Sequence, residues 1–366
     1  MTRNNSKGSA AVRRIAILGS MAGTPDGQRK LTRLYACRSR FDTILHDFNG
    51  HRGAAGGFRI LAEVLRAAWF SLVRRPDVAY LAISRTRFGA LRDLLIILPY
   101  RLGQVPVVAH VHGAEFEDYF VRSQRRCLVS RLQLRAVDQF IFIHETYDLT
   151  GMQGIRGGVI RNPLPDFPAD RLTAKKAEGS PSFGFISSFV PGKGIEIFLE
   201  VSKELAGVGR WVVAGGANSR FPTYGKNLVA TVSAMSHINY LGYLNNPFEF
   251  FEQVVFLIFP TSYESEAVPG VVVEALLTGC IPIILHSDRL RRVFGGAPIQ
   301  WFHDRDELEC IVKKCVDWRP EERSKIAEAC QSWGRQNFPS VPDWVDRIDD
   351  FVTDTYKGTK PANRLR

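Results

Sequence analysis

Between Leu31 and Ala174 the chain contains no lysine. The cationic side chains of that stretch, histidine aside, are all arginine, and from Arg74 to Arg135 eleven of them stand against five acidic residues. Arginine grips phosphate through two parallel N–H donors and stays charged when half-desolvated, so the bias suits phosphate-bearing surfaces, although genomic composition would produce it equally. The net charge of the 366 residues is +11. The six cysteines (Cys37, Cys127, Cys280, Cys310, Cys315, Cys330) include no C-x-x-C pair and no metal-ligand spacing, which argues against a zinc module or a disulfide framework. They read as small buried hydrophobes in a reducing compartment. No stretch reaches the roughly 18 apolar residues needed to span a bilayer, and the N-terminus lacks the apolar core of a signal peptide, so a cytoplasmic protein is expected. No helix-turn-helix, zinc or aromatic-basic motif is present, and no nucleic-acid partner is expected. Internal repeats and low-complexity segments are absent as well.

What is present is an alternation of apolar strands and amphipathic helices. Arg14 to Leu18 reads as a strand entering a glycine-containing loop, Gly19 to Gly27, before a helix starting near Arg29. The loop is not the G-x-G-x-x-G of nicotinamide enzymes. A helix over 58–73, a strand over 78–83, a helix over 88–102 and a strand over 106–111 follow. Asn162-Pro-Leu-Pro165 marks a boundary, and the polar run Asp170 to Ser182 comes after it. A second series starts with a strand over 183–186, a helix over 195–205 and a strand over 211–214. It continues with a strand over 254–259, a helix over 271–277 and a strand over 281–285. The expectation is an α/β chain of two doubly wound Rossmann-like domains, 1–165 and 166–340. The helical stretch 344–356, within 341–366, is expected to pack back on the first domain, while residues 1–11 and 357–366 read as loose.

The most informative segment is Glu266-Ala-Val-Pro-Gly-Val-Val-Val-Glu274-Ala-Leu-Leu-Thr-Gly279, which follows the apolar strand over 254–259. Pro269 suits the first helical turn, with Gly270 and Val271 beside it, and Gly279 suits the position just past the end. The amides of such a first turn, at the positive end of the helix dipole, suit an anionic oxygen such as a diphosphate. Glu274, about one turn further in, is placed to accept hydrogen bonds from vicinal hydroxyls. Exposed, unengaged carboxylates are the ordinary alternative for both glutamates.

Several further blocks occur in order: Arg161-Asn-Pro163, Gly184 to Gly194 with Lys193, Val212-Val-Ala-Gly215-Gly216, Tyr240 to Leu244, Phe248 to Phe251, Pro260-Thr-Ser262, and Gly279-Cys-Ile-Pro282. Together with Glu266 and Glu274 they resemble the donor site of the family 4 retaining glycosyltransferases. That resemblance implies the GT-B fold, two facing Rossmann-like domains with a cleft between them, and transfer of a sugar from a nucleotide-sugar donor with retention. It implies Lys193 on the leaving diphosphate, Glu266 against sugar hydroxyls and Glu274 against the ribose. His112, in an H-G context at the end of a strand, matches a family histidine beside the donor sugar and phosphate; a structural histidine is the alternative. Gly27 would let backbone approach the diphosphate, and Gly215 and Gly216 would allow close approach at a strand end. The family carries arginine five positions before the lysine, where this chain has Ser188; Arg220, Arg289 and Arg292 are the candidates to replace it.

No cofactor is expected, the nucleotide sugar being a substrate, and no metal. Asp304-Arg-Asp306 imitates a metal-binding D-x-D but reads as a helix start. The expected partners are the donor, a glycan or polyprenyl-linked acceptor of polysaccharide biosynthesis, and an anionic membrane surface. The apolar run from Phe88 to Arg101 is expected to be a buried helix, with a peripheral, membrane-contacting helix as the alternative; Arg122, Arg125, Arg126, Arg131 and Arg135 would extend its basic face. A non-catalytic GT-B protein binding nucleotide sugar or glycan is the rival from another class, favoured by Ser188 and opposed by Lys193, Glu266 and Glu274. A sugar-nucleotide epimerase is the rival enzyme.

Overall fold

The computed structural model describes residues 12–359 except 22–26, 48–53, 85, 114, 118–119, 121–127, 146, 148–154, 166–179 and 264–265. Cys127, Arg122, Arg125, Arg126, most of the polar run after Pro165 and both chain ends (1–11 and 360–366) lie outside the described residues. Two compact units are formed, one of Met1–Asn162 with Pro342–Arg366, the other of Pro163–Val341.

The first unit runs β1 (Arg14–Gly19), α1 (Gly27–Arg38), β2 (Asp42–Asp47), α2 (Ala54–Trp69) extended by a π turn (Phe70–Arg74), β3 (Val78–Ala82), α3 (Arg87–Leu102), β4 (Val107–Val111), α4 (Leu128–Ala136), β5 (Gln139–Phe142) and β6 (Gly157–Val159). Its strands are all parallel, in the order β2-β1-β3-β4-β5-β6. Every residue of β3 and β4 is buried, as strands covered on both faces require. β2 escapes a hydrophobicity reading because Asp42, Thr43, His46 and Asp47 make it look like a loop, and only His46 of its six residues is buried. β6 has just three residues, two of them glycine. Backbone pairing with β1 and β5, not apolar content, makes these two edge segments strands.

The second unit runs β7 (Ser182–Phe189), α5 (Ile195–Glu204), β8 (Arg210–Ala217), α6 (Pro222–Ala234), β9 (Ile238–Tyr240), α7 (Phe248–Phe251), β10 (Phe256–Phe259), α8 (Gly270–Leu277), β11 (Ile281–Leu285), α9 (Asp288–Phe294), β12 (Gln300–Phe302), α10 (Arg305–Val316) and α11 (Pro320–Asn337). The parallel order is β12-β11-β10-β7-β8-β9. The chain therefore moves outward from β7 through β8 to β9, returns to the other side of β7 with β10, and moves outward again. In doubly wound sheets ligands sit beyond the carboxyl ends of the strands at such a reversal. β7 runs to Phe189, past the expected stop at Ile186, because it stays paired with β8 as far as Ala217.

The last helix, α12 (Val341–Thr359), belongs to the first unit. Its face of Trp344, Ile348 and Val352 shares one core with Ile15, Ile17, Tyr35 and Tyr80. Asp349, fully buried among them, accepts hydrogen bonds from Tyr35 Oη, Ser39 Oγ and Arg40 N, each at 2.9 Å. Burial, reinforced by this carboxylate, raises the Tyr35 phenol well above its ordinary value. Replacing Asp349 by alanine strands three donors, so Asp349→Ala is expected to destabilise the first unit by about 3 kcal/mol, and Tyr35→Phe, which strands nothing, by about 1 kcal/mol. Urea unfolding followed by circular dichroism checks this; equal midpoints for the two variants would show that the carboxylate does not clamp the helix.

Candidate functional site

β10, β7 and β8 end side by side, so the loops that follow them meet at the reversal point of the second sheet. The β7 loop and the β10 loop are tied directly. Ser262 N donates to the Gly192 carbonyl at 2.9 Å, and Thr261 Oγ1 donates to the same oxygen at 3.2 Å. Gly194, with φ +81°, lies so close to the other loop that a Cβ there would stand 2.1 Å from the Pro260 carbonyl oxygen. Only glycine allows that crossing.

The crossing brings Lys193 and Glu266 together as an ion pair, with Lys193 Nζ also 4.8 Å from the centre of the Tyr263 ring. Both side chains are largely withdrawn from solvent. Burial pulls the Lys193 ammonium down to about 8, against the pull of the facing carboxylate. Four residues beyond Glu266, α8 begins. Pro269 is its extended N-cap (φ −66°, ψ 117°), one residue outside the first turn expected for it, and no side chain caps this end. A Cβ on Gly270 would meet no atom within 4 Å, so the first turn opens onto free space. Val271 and Glu274, three apart and half-buried, share a face of the helix. Thr278 is the C-cap, and Gly279 follows at φ +67°. An ion pair, an uncapped helix start with its dipole and a carboxylate one turn in are thus gathered in one stretch.

Gly215 and Gly216 close β8. Gly215, at φ +132°, donates to the Gly242 carbonyl at 2.7 Å, and a Cβ would fall 1.8 Å from the Ser187 carbonyl oxygen. The neighbouring strand accounts for this glycine, where the sequence suggested a ligand. At Gly216 the nearest atom to a Cβ is the Tyr243 Cβ at 3.8 Å, which leaves room. Ser188 is exposed and pairs across the ladder with Gly216, so the position of the missing arginine borders open space. Arg220 follows β8 and lies over the Phe221 ring at 5.5 Å, while Arg289 and Arg292 ride on α9 after β11.

In the first unit His112 follows β4 directly, and its ring stacks on that of His110, centroids 4.0 Å apart and planes 29° from parallel. His110 is fully buried, its Nδ1 hydrogen-bonded to Tyr80 Oη at 2.6 Å. Burial, then the neighbouring His112, holds His110 well below the usual imidazole range. A neutral, anchored ring therefore backs His112 and fixes its orientation. Gly27 is the first residue of α1 instead of the tip of a loop, exposed and, among the described residues, without a neighbour within 4 Å of a Cβ. Gln28 Nε2 reaches the Ala82 and Ile83 carbonyls at 3.2 and 3.3 Å, tying that helix start to the end of β3.

Asp304 is the N-cap of α10, its side chain accepting from Glu307 N at 2.9 Å, and Asp306 lies in the first turn, so capping accounts for the D-x-D string. Among the cysteines Cys280, Cys315 and Cys330 are buried and Cys37 and Cys310 exposed. Burial pushes the Cys315 thiol up to about 12, which keeps it an inert core group. Sequence reasoning stopped at Ser262 and missed Tyr263, whose only advance signal was an aromatic beside the Pro-Thr-Ser block.

No family model and no curated protein matches the chain. Solved structures do. Anabaena HepE, determined in complex with UDP-glucose, matches with a TM-score of 0.69 at 17% identity, over 93% of this chain and 99% of that one. A glycosyltransferase from Rickettsia africae matches at 0.68 and 13% identity over 97% and 100% of the two chains. Sucrose-phosphate synthase from Thermosynechococcus elongatus matches at 0.65 and 14% identity over 94% and 100%. At these identities the shared property is the fold, and the chain has the GT-B fold of these proteins.

Proposed function

We propose that the second unit binds a nucleotide-sugar donor and that the protein transfers the sugar, with retention of configuration, to a glycan or polyprenyl-linked acceptor in polysaccharide assembly, as the family 4 enzymes do. One observation carries this reading: Lys193 and Glu266 meet at the β7/β10 reversal, just ahead of the uncapped start of α8. Each neutralises the other while the site is empty. An arriving diphosphate takes the ammonium of Lys193, and the sugar hydroxyls then donate to the carboxylate of Glu266, so one ligand satisfies both partners of the broken pair. The amides of Gly270 and Val271 receive a diphosphate oxygen, and Glu274 accepts from the ribose hydroxyls. As the bond from sugar to diphosphate breaks, negative charge grows on the leaving oxygen, where the ammonium and the helix dipole stabilise it. Gly216 leaves room for the ligand at the end of β8. The complexes of Anabaena HepE with UDP and UDP-glucose support a uridine donor as the first to try.

Isothermal titration with UDP tests the reading. Glu274→Ala removes two charge-assisted hydrogen bonds and is expected to weaken UDP binding about 100-fold or more, with unchanged circular dichroism. Unchanged affinity would place the ribose elsewhere and end the donor-site assignment.

The affinity should also depend on pH through Lys193. The free protein loses the Lys193 proton near 8, whereas a bound diphosphate favours the charged form and raises that value. Above pH 7, where UDP is fully ionised, affinity therefore falls as pH rises through 8, by up to about tenfold per unit until the proton also leaves the complex. Lys193→Gln should bind weakly and evenly above pH 7; a wild-type affinity that stays level or rises between pH 7 and 9 would refute the role.

Because Lys193 and amides hold the diphosphate, UDP binding and UDP-sugar turnover are expected to survive EDTA. Loss of turnover restored by magnesium or manganese would return Asp304 and Asp306 to consideration.

A further inference from the structure

Two neighbouring helices of the first unit carry apolar outer faces, and one of them, α3, is apolar on its inner face as well. The inner face of α3 buries Ala90, Ile96, Ile97 and Tyr100. Its Phe88, Leu91, Leu95, Leu98 and Leu102 recur at intervals of three and four, which aligns them along one line of the helix, and all are exposed, from 39% at Leu95 to 89% at Phe88. Phe58, Leu61, Leu65, Trp69 and Leu72 repeat the pattern along α2 and the π turn, also exposed. α2 packs on α3 and α3 on α4, whose Leu128 and Leu132 continue the exposed apolar surface. The sequence posed a buried helix and a membrane-contacting helix as alternatives for α3; the helix buries one apolar face and exposes another. The face is rigidly backed, since the buried His46 on β2 hydrogen-bonds Glu63 of α2 at 3.0 Å and Tyr100 of α3 at 2.7 Å.

A contiguous exposed apolar face of this kind marks an interaction surface. The charge around it selects the occupant. Arg66, Arg74, Arg75, Arg87, Arg131 and Arg135 are exposed on these same elements. The two acidic residues described there are engaged, Glu63 by His46 and Arg66, and Asp93, fully buried, by Arg92 and Ser84. A second copy of the chain would set arginine against arginine. An anionic bilayer instead offers hydrocarbon to the leucines and phosphate to the guanidinium groups. Among the described residues no helix is long and apolar enough to cross a membrane, so the helices would lie in the interface.

We propose that the outer face of α2, the π turn, α3 and α4 docks the protein on anionic lipid bilayers, with the leucine and aromatic stripes inserted below the headgroups and the arginines on their phosphates. The inference stands on this surface and not on the donor site.

Co-sedimentation with vesicles of phosphatidylcholine alone, or mixed with phosphatidylglycerol, at low and high salt, tests it. The wild type is expected to bind the mixed vesicles at least about tenfold more tightly than the neutral ones, and less tightly at high salt. The exposed triple substitution Leu91→Gln/Leu95→Gln/Leu98→Gln should lose about tenfold or more of that binding while keeping the wild-type unfolding midpoint and UDP titration. Arg87→Gln/Arg131→Gln/Arg135→Gln should lose the preference for anionic lipid. Mixed vesicles should shift tryptophan emission to the blue in the wild type and much less in Trp69→Phe. Equal partitioning to both vesicle types, unaltered by the leucine substitutions, would overturn the proposal. So would a dimer in analytical ultracentrifugation that these substitutions dissociate while no vesicle is bound, which would assign the face to a second copy. A protein that binds vesicles but not UDP would leave the docking face standing and remove only the donor-site reading.

Discussion

The candidate site of the second unit hangs on a crossing of two loops. The amide of Ser262 and the hydroxyl of Thr261 both point at the carbonyl of Gly192, and Gly194 lies against the carbonyl of Pro260 with no space for a side chain. Neither loop belongs to a regular element, yet the bonds between them fix where Lys193 and Glu266 stand and from which side α8 is approached. The parallel sheet brings the loops to the same edge; the crossing sets the fine distance between them. A site built this way is preorganised by backbone, and its reactive side chains need only short reaches.

The electrostatics follow from that crossing. Lys193 is withdrawn from water far enough to pull its ammonium down to about 8, and a carboxylate partner keeps it useful at neutral pH. A lone, half-buried lysine would shed its proton more readily; one locked permanently to a glutamate would have nothing to offer an anion. In the proposed function the pair holds the charge in place until a ligand with both an anionic and a hydroxylated part replaces each contact. Position 188 lies on the β8 side of β7, across the ladder from Gly216, while Glu266 follows β10 on the other side.

Much of the architecture was legible because parallel strands buried on both faces are apolar without interruption, as in Phe256–Phe259 and Ile281–Leu285. The edges were not: Asp42–Asp47 and Gly157–Val159 are strands by virtue of a neighbour's hydrogen bonds, a property no local window carries. In the candidate site, the sequence singled out Lys193, Glu266 and Glu274 by residue type and spacing, and the structure pairs the first two and sets the third one turn into α8. The contact of that pair could not be read in advance, since it depends on a turn geometry some seventy residues distant in the chain. Glycines misled in a specific way. Gly215 looked like room for a ligand, but the room is taken by the backbone of β7, and sequence does not say which neighbour approaches.

The return of α12 to the first unit has a bearing on how the chain comes to be folded. Tyr35 and Asp349, which share a hydrogen bond, are 314 residues apart, and Trp344, Ile348 and Val352 complete a core begun at Ile15. During synthesis the whole second unit emerges between the two parts of the first. At roughly 5–20 residues per second, the opening β–α units wait tens of seconds for their last helix, with Ile15, Ile17 and Tyr35 incompletely covered. The second unit, whose contacts all lie within one continuous segment, is free to fold during that interval. The unit that starts the chain is thus the one that finishes last, and during that wait its unfilled core, together with the leucine stripes of α2 and α3, is where a nascent chain would be caught by chaperones or by its neighbours.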